Sequence, residues 1–101
     1  MDMEKFHSFI DRNKLPTESK FLGYTLFLPD TEEFLAKHQK TKATTLWGWT
    51  PSPFAAVRFK DEKSALRIAK TYTKRKVEVL YLIDTPTQLL TGNSMEFLNG
   101  E

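Results

Sequence analysis

The chain contains no cysteine. Disulfides, thiolate zinc sites and cysteine nucleophiles are thereby excluded, and a reducing compartment fits the composition. Glycine is scarce, with four residues in 101, too scattered for a phosphate-cradling loop. Histidine occurs only as His7 and His38, too far apart in sequence to form a local ligand pair. His7 reads as a boundary residue beside the apolar side of a helix, and His38 as a solvated one among lysines. The carboxylate pairs Glu32-Glu33 and Asp61-Glu62 suit a turn and a helix start better than acid–base work. No catalytic residue, metal ligand or cofactor is therefore expected. No apolar run approaches the roughly 18 residues of a membrane span, and residues 1–20 lack the apolar centre of a signal peptide. A cytoplasmic protein without a membrane partner is expected.

Apolar residues make up 40% of the chain and aromatics 13%, enough to build a packed interior. At 101 residues there is room for one core, so residues 1–101 are read as a single domain. Within it, residues 1–20 are an N-terminal helix and connector, 21–83 the α+β core, and 84–101 a C-terminal extension. The net charge of +2 conceals an asymmetry. Between Lys37 and Lys76 eleven Lys and Arg face only Asp61 and Glu62, whereas the flanks are strongly acidic. Such a middle creates a local positive field that attracts anionic surfaces.

Residues 46–82 hold both tryptophans and most of that charge. Asp61 is placed to cap a helix over 62–73. Ala65, Ile68, Ala69 and Tyr72 recur at i, i+3, i+4 and i+7 along it, an apolar stripe. Lys63, Arg67, Lys70 and Lys74 fall on the opposite side, and Arg75 and Lys76 follow at the helix end. A strand over 77–83, apolar on both faces, comes next. Upstream, residues 44–50 read as a strand with Trp47 and Trp49 on one face, stopped by Pro51 and Pro53. Ser52-Pro53 suits a short helical turn.

The run Trp49-Thr50, Ala56, Arg58-Phe59, Ala65 and Ala69 before a valine-rich strand resembles a pattern among small phage and mobile-element proteins. There a hairpin leads through a turn into a helix and a closing strand. The likeness falls on structural positions and implies an accessory protein of a mobile element, acting in the host cytoplasm. It transfers no functional residue.

In the remaining segments, Asp2 is placed to cap a first helix to about Asn13, with Met3, Phe6, Phe9 and Ile10 on one side. Residues 21–28 read as a strand, bulged at Gly23, followed by a turn at Pro29-Asp30-Thr31-Glu32. Residues 31–39 fit either a helix capped by Thr31 or a second hairpin strand over 33–39, and the hairpin agrees with the resemblance. Thr85-Pro86 starts a short helix carrying Leu89 and Leu90, closed by Gly92-Asn93. Met95, Phe97 and Leu98 pack back on the domain or offer an apolar handle.

The fold expected is α+β, a small antiparallel sheet of three or four strands with one main amphipathic helix across it and short terminal helices. The leading functional expectation is a non-enzymatic accessory protein that binds a host protein or nucleoprotein complex with an anionic surface, inhibiting a defence system or nuclease. The second is a nucleic-acid binder. Its basic face would comprise Lys63, Arg67, Lys70, Lys74, Arg75, Lys76, Lys37, Lys40 and Lys42, with Trp47 and Trp49 as stacking surfaces, although paired tryptophans beside a glycine more often fill the core and at least one of them is expected there. A small enzyme is the third.

Overall fold

Phe6, Phe9 and Ile10 recur at helical spacing, and burying them folds the N-terminal segment into α1 (Met3–Arg12). The computed structural model describes residues 3–93. The expected cap at Asp2 and the apolar Met95, Phe97 and Leu98 lie outside the described residues. The helix ends in a doubly bonded C-cap: the Leu15 N–H donates to Ile10 O at 3.0 Å and the Lys14 N–H to Asp11 O at 3.2 Å. Lys14 takes the left-handed position usually given to glycine, with φ 53°. Asn13 adds a side-chain bond to Phe9 O at 2.9 Å.

Five strands follow: β1 (Lys20–Leu28), β2 (Glu33–Lys40), β3 (Thr45–Thr50), β4 (Glu78–Asp84) and β5 (Leu89–Asn93). They form one antiparallel sheet in the order β3-β2-β1-β4-β5. A single 3-10 turn (Pro53–Ala55) and α2 (Glu62–Ala69) lie between β3 and β4. Asp61 caps α2, its carboxylate accepting from the Ser64 N–H at 2.7 Å. β4 is interior, and both its faces are apolar as the sequence pattern requires. Val79, Tyr81 and Ile83 join Phe6, Phe9, Ile10, Tyr24 and Ala65 in the main core. Leu80 and Leu82 pack with Phe34 and Ala56 on the other face.

The sheet is split near its middle. β1 and β2 pair only at Phe27↔Phe34 and Leu28↔Glu33, then part. Residues 57–59 enter the gap as a wedge. The Val57 N–H donates to Leu35 O at 2.7 Å, and Tyr24 and Phe59 exchange two backbone bonds at 2.9 and 2.6 Å. Gly23 makes this approach feasible. Its φ is 131°, and a Cβ there would stand 2.6 Å from Phe59 O. The bulge expected at Gly23 coincides with a register shift between Phe21 and Gly23.

The expected architecture needs correction on four counts. The sheet has five strands rather than three or four. The helices are comparable in length, ten and eight residues, so no single helix dominates. The segment after Asp84 is not a short helix but the hairpin partner of β4, with Asp84↔Leu89 through Leu80↔Asn93 in register. The Thr85-Pro86 pair misleads because it begins a tight loop: the Thr85 hydroxyl donates to Gln88 O at 2.7 Å and accepts from the Gln88 N–H at 3.0 Å. α2 also stops at Ala69, short of residue 73. Ile68 O accepts both the N–H and the hydroxyl of Thr71, and the Tyr72 N–H turns back to Ala69 O, which tightens the chain out of the α-helix.

Candidate nucleic-acid interface

The β2–β3 hairpin and the chain leaving α2 meet over a cluster of four rings. Cross-strand pairing sets His38 opposite Trp47, and Trp49 follows two residues later on the same face. The tryptophan rings lie 3° from parallel with centroids 6.2 Å apart. Tyr72 crosses both, at 4.7 Å from Trp47 and 5.2 Å from Trp49. His38 meets the Trp47 ring edge-on at 4.6 Å. All four side chains are half-buried, and the tryptophans also pack on the main core. Each tryptophan keeps part of its surface exposed, while the Trp49 Nε1 is buried with no hydrogen-bond partner among the described residues. A rigid aromatic surface of this kind loses little entropy when a planar ligand stacks on it.

The segments that carry the cluster hold charge of one sign. No carboxylate occurs in residues 34–60 or 63–77. Lys40 pairs with Thr45 and shares the face of His38 and Trp47, while Lys42 stands exposed in the hairpin loop. Lys70 is the C-cap of α2 and Lys74 lies beyond it, so the two flank Tyr72 at two residues on either side. Lys63, Arg67, Lys70 and Lys74 are all exposed, although Lys74 has left the helix that was expected to carry it.

The remaining basic residues are placed otherwise. Lys37 pairs with Gly48 and shares the hairpin's opposite face, its Cβ within 3.1 Å of where a Gly48 Cβ would be. Arg75 makes a two-pronged ion pair with Asp30, at 2.9 and 3.2 Å, joining the segment after α2 to the β1–β2 turn. That bond holds the Asp30 carboxyl below its usual range and raises Arg75. Lys76 lies 3.8 Å from Glu78. Arg75 and Lys76 thus have carboxylate partners, whereas Lys40, Lys42, Lys70 and Lys74 make no ion pair among the described residues.

Two members of the cluster escape sequence reasoning. Tyr72 reads as the last core residue of a helical stripe, and His38 as a solvated neighbour of lysines. The hairpin register would have found His38, since it sets that residue opposite Trp47. Tyr72 carried no such signal, because its position depends on where α2 stops. Phe54, on the 3-10 turn, is 73% exposed.

Among the described residues no group of three or more His, Asp or Glu is gathered as metal ligands. No helix among them is long and apolar enough to cross a membrane. Comparison with protein families, with characterised proteins and with solved structures finds no match for this chain.

Proposed function

We propose that this chain is a non-enzymatic binding domain for single-stranded nucleic acid, working in the cytoplasm. Bases stack on the exposed parts of Trp47 and Trp49, and Lys40, Lys42, Lys70 and Lys74 neutralise the neighbouring phosphates. The observation that supports it best is the pair of near-parallel, half-buried tryptophans braced by Tyr72 and carried on segments whose sequence holds no carboxylate. An unpaired strand offers its base faces to such a surface, whereas a duplex keeps them stacked inside. The same positive field would suit an acidic host protein, the partner expected for a mobile-element accessory factor.

Titration with an oligo-dT of about twelve nucleotides separates the two partners. For a single strand, tryptophan emission is quenched on binding, and duplex DNA competes poorly. If each of the four lysines neutralises one phosphate, log K falls with log salt at a slope of about −2.8. Trp47→Ala weakens binding by about 1–3 kcal/mol. Absence of saturable quenching at low salt overturns the proposal and leaves the protein partner.

A further inference from the structure

We infer that the groove between α1 and the start of β1 binds a small aromatic zwitterion, an amino acid or dipeptide. The groove encloses ≈ 590 Å³, within the range of small-molecule sites. Its floor is apolar: Phe6 and Ile10 from α1 are buried, and Phe21 meets Phe6 with ring centroids 5.8 Å apart. Tilted rings of this kind accept a third ring edge-on or offset. The groove shares no residue with the aromatic cluster on β2 and β3.

The rim decides the ligand's charge. Asp11 and, one turn before it, His7 stand on the helix wall and Lys20 on the strand wall, all exposed, and none makes an ion pair among the described residues. A simple anion meets repulsion from Asp11, and a simple cation from Lys20. A ligand carrying both charges satisfies both walls, its ammonium at Asp11 and its carboxylate at Lys20. Ser19 gives a second pointer. It lines the groove, is 8% exposed, and its hydroxyl has no hydrogen-bond partner among the described residues. Leaving such a group unpaired is unfavourable, and a polar head seated beside Ser19 would supply the missing partner.

The probe is L-phenylalanyl-L-phenylalanine, titrated into the full chain and followed by ¹H–¹⁵N NMR, alongside its N-acetylated and C-amidated forms. Saturable shifts are expected in α1 and at residues 17–21, with each capped form binding about tenfold more weakly. Asp11→Asn should erase the difference between free and acetylated peptide, and Lys20→Gln that between free and amidated peptide. Both residues are exposed, so both variants are expected to melt like the parent. No saturable shift at millimolar peptide, or equal binding of free and capped forms by the parent, overturns the inference. Neither result touches oligonucleotide binding, which uses other residues.

Discussion

Thr25 is fully enclosed opposite Leu80, and its hydroxyl has no partner among the described residues. Burying a hydroxyl without a hydrogen bond is unfavourable, and valine has the same outline without it. Thr25→Val should therefore raise stability by about 1 kcal/mol in urea unfolding, and a loss would show that the hydroxyl is satisfied. The neighbouring Tyr24, 2% exposed, has its phenol pushed up to about 12, first by burial and then by the negative charges of Glu62 and Asp61. A raised folded pKa favours the protonated form in the native state. Its stabilising contribution is complete below pH 10 and is lost as pH rises toward 12. Tyr24→Phe should flatten the alkaline fall in stability over that window, measured as unfolding midpoints at pH 9 and 11.5.

Single elements differ in how plainly the sequence announces them. α1 follows from the spacing of Phe6, Phe9 and Ile10, whereas the β1–β2 hairpin was one of two readings, since residues 31–39 also fit a helix capped by Thr31. β5 was illegible as a strand, because Thr85-Pro86 suits a helix start as well as a loop. A comparison within the chain would have helped. Thr41 and Thr44 close the β2–β3 loop with the same reciprocal bonds that join Thr85 and Gln88, so both are four-residue hairpin loops opened by threonine. The shared face of Trp47 and Trp49 was legible from type and spacing. Tyr72 was not, since a strict 3.6-residue period carried α2 past Ala69 and left the ring in the core. The end of α1 offers a test at this scale. Lys14 sits at φ 53°, where a side chain is unfavourable and glycine is not. Lys14→Gly should stabilise by about 1 kcal/mol in thermal melts; a destabilised variant would show that the lysine side chain contributes there.

Across the whole molecule, positive charge gathers on the β2–β3 hairpin and around α2 while the rest is acidic. Reversing Lys40, Lys42, Lys70 and Lys74 to glutamate should alter stability by less than about 0.5 kcal/mol each and abolish oligonucleotide binding. Reversing Lys63 and Arg67, farther along α2 from Tyr72, should weaken it less. Equal losses in the two variants would mean a diffuse field rather than a local site. The wedge at residues 57–59 carries a consequence for cooperativity. The backbone of β2 and β3 bonds to the other three strands only at two residue pairs and through that short insert, so the sheet divides into two leaves sharing a keystone. Deuterium uptake should sort accordingly: amides of β2 and β3 exchange together, ahead of those of β4. Gly23→Ala presses a methyl group against Phe59 O and should loosen the first leaf most. Because the aromatic cluster stands on that leaf, a bound oligonucleotide should slow its exchange and leave β4 and β5 nearly unchanged.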